Sequence, residues 1–175
     1  MSNLDPTAHS RQAGIFAVKV RSRAEISISG VLREKGYSVL LPTYVDRRQY
    51  TDRIKKAHLP LFPGYIFVHL DAQKLLELVT TDGVSYVVKH GSTLQPLPSD
   101  EANTLNSLCG MADGCEPCEN FQVGQRVWIQ SGPLKNQMGI LTRVGGKDRV
   151  VVHINSIFSS VSIDLKDTEV TPLQS

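Results

Sequence analysis

The chain has 175 residues, of which 41% are hydrophobic and 21% are charged, a composition that excludes a mainly disordered protein. Nineteen basic and 17 acidic residues give a net charge of +2, which excludes a uniformly basic surface, so any contact with nucleic acid has to be local. No apolar run approaches the roughly 20 residues that cross a bilayer, and the polar N-terminal residues 1–12 predict no secretory signal.

Charge divides the sequence near residue 111. Residues 1–110 contain 13 Lys and Arg against 10 Asp and Glu, a net charge of +3, whereas residues 111–175 contain 6 against 7, a net charge of −1. The short acidic stretch at the boundary has neither strand nor helix periodicity and is typical of a linker. The predicted organisation is a loose tail (1–12), a first domain (13–110), a linker (111–119) and a second domain (120–175).

Strand and helix signals alternate in the first domain. Ser22 stands three residues before Glu25, which is the spacing of a capping box and predicts a helix start. Asp71 and Ser99 predict the starts of two further helices. Apolar and β-branched runs predict four strands, at residues 15–20, 37–41, 66–70 and 84–88. The order β-α-β-β-α-β with an added helix predicts an α+β domain of the ferredoxin-like type.

The second domain shows a different pattern, in which glycines separate short apolar runs. Strands are predicted at residues 126–130, 140–144, 149–154 and 160–165. About five short strands in so short a segment favour a small β-barrel. Because a domain of this size has a thin core, Trp128 is expected to supply much of it.

The sequence contains little that indicates catalysis. It lacks the motifs of serine hydrolases and zinc proteases, and the glycine-rich residues 145–148 lack the Ser or Thr of a phosphate loop. Cys115 and Cys118 have the spacing of a zinc or redox pair, but a structural zinc needs four ligands and the linker has no histidine. Free thiols in a reducing cytoplasm are therefore favoured. We expect no enzyme, no metal and no other cofactor, with an enzyme that uses this cysteine pair as an alternative.

Residues 44–58 are the main charged feature. They hold five basic and two acidic side chains, with Tyr44 and Tyr50 among them, between two predicted strands. One interpretation is a basic finger on a nucleic-acid backbone, with tyrosines that stack on exposed bases. The other is a solvated hairpin, which is the usual fate of a charge run.

Residues 61–68 (LFPGYIFV) are the most informative stretch. Pro63 and Gly64 bend the chain just before a strong strand, with Phe62 and Tyr65 on either side. In one interpretation both rings belong to the core. In the other, an aromatic ring is held at a rigid edge as an anchor for a protein partner.

Three stretches resemble the NusG family of transcription elongation factors. Residues 62–68 are similar to the signature of the family's N-terminal (NGN) domain. Residues 123–140 resemble a KOW motif, in which Gly139 corresponds to the fixed structural glycine. Residues 156–165 are similar to the last strands of the family's SH3-like KOW barrel.

For the first domain, the resemblance implies binding to the clamp helices of RNA polymerase. A factor that binds the closed clamp better than the open clamp favours the closed state, and so suppresses pausing or termination without chemistry of its own. Ile15 departs from the Trp that many relatives carry. The implied polymerase-binding residues are Phe16, Phe62, Pro63, Gly64 and Tyr65. The residues implied in contact with upstream or non-template DNA are Arg47, Arg48, Arg53, Lys55 and Lys56.

For the second domain, the resemblance implies recruitment of a second partner, either termination factor Rho or a ribosomal protein. Ile157 and Phe158 correspond to an exposed apolar pair used for that contact, and Leu134 occupies a position that is often Phe. Some specialised relatives fold this domain as a helical hairpin. The β-branched residues of the predicted strands favour a stable barrel here.

Together these implications predict a cytoplasmic, monomeric elongation and antitermination factor with no membrane contact. The arginine-rich loop favours a specialised antiterminator over a general factor. The alternative function is a ribosome-associated KOW protein that binds folded RNA. Such a protein needs a basic barrel, and the net charge of −1 in residues 111–175 disfavours it.

Overall fold

The computed structural model describes residues 13–49, 54–71, 73–89, 91–111, 114–118, 124–144, 147–165 and 169–173. Within these ranges the chain forms three α-helices and twelve strands, arranged in three sheets. None of the described helices is both long enough and apolar enough to cross a membrane. We call the described residues from 13 to 111 the front module and those from 114 to 173 the rear module.

The front module contains a four-stranded antiparallel sheet and a separate two-stranded hairpin. In chain order its elements are β1 (Gly14–Val20), α1 (Glu25–Glu34), β2 (Ser38–Leu40), β3 (Thr43–Gln49), β4 (Ile54–Pro60), β5 (Tyr65–Leu70), α2 (Leu75–Val79), β6 (Val84–Val87) and α3 (Ser99–Cys109). The main sheet has the strand order β2-β5-β1-β6, and β3 pairs with β4 in the hairpin. All four predicted strands and all three predicted helices are present, and the α+β class is confirmed.

The main sheet is covered differently on its two faces. Val18 of β1 packs in an apolar cluster with α1 and α2. Its neighbour Ala17 points the other way, as alternation along a strand requires, and packs in a second cluster with α3. The two clusters place the central strand β1 between layers of helix.

The start of α1 differs from the predicted capping box. The helix begins at Glu25 with Ala24 as its N-cap, and no side chain caps it. The buried Glu25 carboxylate instead accepts the N–H of Gly64 at 2.6 Å. The predicted helix is thus present, but it begins two residues later than a cap at Ser22 would place it, and the predicted partner of Glu25 is wrong. A buried N–H on a distant bend gains more from a carboxylate than an exposed helix end does.

The rear module is built on a six-stranded antiparallel sheet. Its elements are β7 (Cys115–Cys118), β8 (Gln125–Ile129), β9 (Met138–Val144), β10 (Lys147–Ile154), a 3₁₀ turn (Asn155–Ile157), β11 (Ser159–Asp164) and β12 (Val170–Pro172). The strand order is β12-β8-β9-β10-β11-β7. Strands β8 to β11 coincide with the four predicted strands to within about two residues, the usual error of element boundaries.

Two features of the rear module correct the sequence-based expectations. Cys115–Cys118, expected within an irregular linker, form β7 and pair with β11, because the open edge of that strand offers hydrogen bonds that a four-residue segment cannot make alone. Trp128, expected in the core, is only half-buried. Its neighbours Val127 and Ile129 point into the core, so alternation turns Trp128 outward.

Candidate interaction surfaces

The bend between β4 and β5 is held in one conformation at Gly64. The φ angle of Gly64 is +80°, in the left-handed region that favours glycine. Its N–H donates to the Glu25 carboxylate, and its carbonyl accepts the N–H of Val20 at 2.9 Å. The N–H of Tyr65 donates to the carbonyl of Phe62 at 3.0 Å. Both backbone polar groups of Gly64 are therefore satisfied, which presents the neighbouring side chains in a fixed geometry.

The structure corrects the expectation that Phe16 and Phe62 lie on the contact surface. Phe62 is 2% exposed and packs edge-on against Phe67, with ring centres 5.6 Å apart. Phe16 is also buried, in the cluster with α1 and α2. Neither ring is accessible to a partner. The predicted role in polymerase binding could therefore only be an indirect one, in which Phe62 holds the bend in place and Phe16 holds β1.

Pro63 and Tyr65 are the accessible side chains of the bend. Pro63 is exposed and Tyr65 is half-buried. The ammonium nitrogen of Lys19 lies 4.2 Å from the centre of the Tyr65 ring. Burial, and to a smaller extent Tyr86, raises the pKa of the Tyr65 phenol above its ordinary value. Of the two aromatic rings of the bend, that of Phe62 lies in the core and that of Tyr65 is accessible at the edge of the core.

The basic segment forms the antiparallel hairpin β3–β4. Its register pairs Arg47 with Lys56 and Arg48 with Lys55. Arg47 and Lys56 are both exposed, and like charges opposite each other on a hairpin are unfavourable unless other charges compensate them. The side chains of Arg48 and Lys55 and the whole of Arg53 lie outside the described residues. The predicted nucleic-acid contact therefore stays a prediction for all five.

The turn after β10 separates the two members of the predicted apolar pair. The 3₁₀ turn directs Ile157 into the core, and Phe158 follows in a left-handed conformation (φ +51°) with 89% of its surface exposed. The expectation of an exposed pair is wrong for Ile157 and is met only by Phe158. Leu134, expected at the same surface, is also buried, in the apolar cluster that contains Ala17 and Ile157.

Gly139 lies where β9 and β10 approach each other closely. A Cβ added to Gly139 would overlap Cγ1 of Val150 and would lie 3.2 Å from the carbonyl oxygen of Val151. Any side chain there would have to displace the side chain of Val150 and would crowd the backbone of β10. The residue therefore meets a steric requirement of this strand pair.

The two modules are in contact. One apolar cluster contains buried residues of both, among them Leu61, Leu108 and Ile157. The buried carboxylate of Glu101 on α3 accepts the N–H of Asn155 at 3.0 Å, and within the described residues its second oxygen has no hydrogen-bond partner. A cleft of about 1040 Å³ lies beside this contact. Its lining includes Pro63 and Phe158, so two residues predicted for different partners share one cleft.

Cys115 and Cys118 do not form a disulfide. They lie three residues apart in an extended strand, so their side chains point to opposite faces and their Cα atoms are about 10 Å apart. A disulfide requires Cα atoms within about 7 Å of each other. The alternative of an enzyme with this redox pair therefore requires β7 to leave the sheet.

Comparison with known proteins identifies the family. The model of a family described as transcription termination factor nusG matches residues 15–106, and a family of unknown function, DUF3912, matches residues 118–172. A relative from Halalkalibacterium halodurans named transcription termination/antitermination protein NusG is 23% identical over 167 residues, with 87% of this chain and 89% of the relative covered. A relative of the same name from Staphylococcus carnosus is 30% identical over 135 residues, with 69% of each chain covered.

The fold agrees with that family. A solved structure described as domain interaction in Thermotoga maritima NusG superimposes with a TM-score of 0.60 at 20% identity, and the match covers 90% of this chain and 97% of the other. Because a family match over more than half of the chain accompanies the likeness in fold, the chain belongs to the NusG family of transcription termination and antitermination factors.

Proposed function

We propose that this protein is a transcription elongation and antitermination factor that binds the clamp helices of RNA polymerase through the bend of its front module, and therefore acts in the cytoplasm. The observation that carries the proposal is the rigid bend at Gly64, which leaves Pro63 and Tyr65 accessible where β5 begins. Aromatic side chains on a preorganised edge make effective anchors because little conformational entropy is lost when a partner binds.

The finer domain assignment is part of this proposal. The front module is a ferredoxin-like NGN domain, which its β2-β5-β1-β6 strand order supports. The rear module is an SH3-like KOW barrel, which the close approach of β9 and β10 at Gly139 supports. In this assignment residues 115–118 belong to the rear module, since β7 pairs with β11.

The mechanism follows from differential binding. A clamp that exchanges between open and closed states shifts toward the state that the factor binds more tightly, by the ratio of the two affinities. The front module needs no chemistry for this effect. The rear module then recruits a second factor, Rho or a ribosomal protein, and Phe158 is the exposed residue on which that contact rests.

Tyr65→Ala is expected to lower the affinity for core RNA polymerase by about tenfold to thirtyfold, the loss typical of an aromatic anchor. Only a modest change in stability should accompany it, because Tyr65 lies at the edge of the core. Equilibrium binding of the purified full chain to core polymerase measures the effect.

The matched control is Leu76→Ala. Leu76 is an apolar side chain of α2 that is 73% exposed, on the helical side of the main sheet. Its removal should leave polymerase affinity unchanged. Wild-type affinity in Tyr65→Ala would show that the bend is not the contact.

Neutralising the hairpin should weaken nucleic-acid binding selectively. The variant replaces Arg47, Arg48, Arg53, Lys55 and Lys56 with Gln. Each lost phosphate contact reduces the slope of log K against log salt concentration by roughly 0.9 for duplex DNA. Loss of five contacts would therefore reduce the slope by about 4.5. Binding to a labelled DNA duplex at several salt concentrations measures the change, and polymerase affinity should stay the same.

The control for the hairpin variant replaces Lys74 and Lys89, two exposed lysines outside the hairpin, with Gln. These changes should leave the salt dependence almost unaltered. Loss of polymerase binding in the hairpin variant, with DNA binding retained, would identify the hairpin as a protein interface.

A further inference from the structure

Three side chains form a row across the main sheet beside the bend. Lys19 of β1 is the register partner of Tyr65 on β5 and of Tyr86 on β6. Strand β1 lies between those two strands. Directly paired residues of antiparallel strands point to the same face, with Cβ atoms about 5 Å apart. The row Tyr65–Lys19–Tyr86 is therefore a continuous patch of one cation and two phenols.

The row faces away from α1 and α2. Val18 and Val20, on either side of Lys19 in the sequence, are buried in the cluster with those helices. Alternation therefore points Lys19 to the opposite face. Lys19 and Tyr65 are half-buried there, and Tyr86 is 53% exposed. The patch is thus accessible while its central charge is partly removed from water.

The bend fixes the position of the charge. A Cβ added to Gly64 would lie 2.5 Å from the ammonium nitrogen of Lys19, so the ammonium rests directly against the glycine backbone. Its contact with the Tyr65 ring is a cation–π interaction. Within the described part of the chain, no carboxylate oxygen lies within 4.0 Å of the Lys19 ammonium nitrogen, so Lys19 forms no ion pair there. The nearby Arg21, by contrast, is paired with Asp82.

We infer that the Tyr65–Lys19–Tyr86 row receives an acidic side chain of RNA polymerase. The inference rests on the proposed function and adds the chemistry of the contact, namely a carboxylate that meets a cation between two aromatic groups. Tyrosines around a partly desolvated charge have the character of an interface hot spot. A nucleic-acid backbone fits less well, because such binding uses several cations along the strand and the row supplies one.

The test compares two replacements of Lys19 in the full chain, with purified core RNA polymerase as the ligand. Lys19→Met keeps the apolar stem and removes the charge, and its affinity should fall on the order of tenfold at low salt. The difference from wild type should shrink as salt rises, since salt screens the lost attraction. Lys19→Arg keeps the cation and should bind within about threefold of wild type.

The matched control is Lys74→Met. Lys74 also lies over a tyrosine, with its ammonium nitrogen 5.5 Å from the centre of the Tyr37 ring, but Tyr37 belongs to the cluster with α1 and α2. Its replacement should not change polymerase affinity. A second variant of the row, Tyr86→Ala, removes an exposed ring and should weaken binding severalfold. If thermal melting shows that Lys19→Met is unfolded, the polymerase affinity of Tyr86→Ala is the deciding measurement.

Each outcome decides the inference. Wild-type polymerase affinity in Lys19→Met would overturn it. Where Lys19→Met is unfolded, wild-type affinity in Tyr86→Ala would do the same. If Tyr65→Ala loses polymerase affinity in the same experiment, the proposed function still stands. A wild-type chain that does not bind core polymerase would overturn both. Weaker binding of Lys19→Met to a single-stranded oligonucleotide, with polymerase affinity unchanged, would mark the row as a base-stacking site and would also overturn the inference.

Discussion

Phe62→Ala should destabilise the front module by about 3–5 kcal/mol, the range for removal of a buried aromatic ring. The ring is almost completely buried, and it packs edge-on against Phe67 in a cluster that also contains Leu105 and Leu108 of α3. Its removal loses apolar burial and leaves a cavity between the sheet and the helix. The free energy of unfolding from a urea titration, followed by circular dichroism, measures the effect.

Phe62→Leu is the control for this prediction, because it keeps most of the apolar volume and should cost less than about 1.5 kcal/mol. A Phe62→Ala chain as stable as wild type would contradict the burial of the ring. The result also decides how binding data are read. Because Phe62 is buried and Tyr65 is partly exposed, the single change at Tyr65 is the clean probe of the surface.

Arg149→Ala should cost the rear module roughly 3 kcal/mol, at the low end of the range for breaking a buried ion pair. The guanidinium donates from Nε to Asp164 at 2.7 Å and from Nη1 to Glu116 at 2.8 Å and to Ser162 at 3.0 Å. Burial by itself lowers the pKa of Arg149, but the hydrogen bonds with the two carboxylates outweigh it, so the pKa lies above its ordinary value. Replacement removes the guanidinium from the largely buried Asp164 carboxylate.

The same change should loosen β7. Glu116 belongs to that strand and Arg149 to β10, so the ion pair ties the segment that follows the front module into the rear sheet. Amide hydrogen exchange in β7 should increase in Arg149→Ala. Arg21→Ala, which removes an exposed pair with Asp82, is the control and should change stability by less than about 1 kcal/mol. Equal stability of the two variants would contradict a structural role for Arg149.

Local sequence patterns were sufficient where a short-range rule acts alone. Short apolar and β-branched runs located four of the six described strands in each module, and Pro63 and Gly64 marked the bend, where the φ angle of Gly64 is positive. The likeness of residues 62–68 to the NusG signature was enough to indicate the family, which the comparisons confirm. These features depend on neighbours within a few residues, so the sequence carries them directly.

The candidate surface was predicted less well. Phe62 and Tyr65 are equally aromatic and only three residues apart, yet one is core and the other is an edge residue. Lys19 and Tyr86 carry no motif, and only the register of β1 with β5 and β6 brings them beside Tyr65. A charge pattern along the chain cannot reveal a row that runs across three strands.

The residues themselves indicate the family, the order of the three helices and of eight of the twelve described strands, and the bend at Gly64. Tertiary contact alone selects which aromatic ring is accessible, moves residues 115–118 from a linker into a sheet, and places Pro63 and Phe158 in one cleft. The physical reason is distance along the chain. Propensity and periodicity act over a few residues, whereas burial and register are settled by elements tens of residues away, whose approach no local pattern specifies.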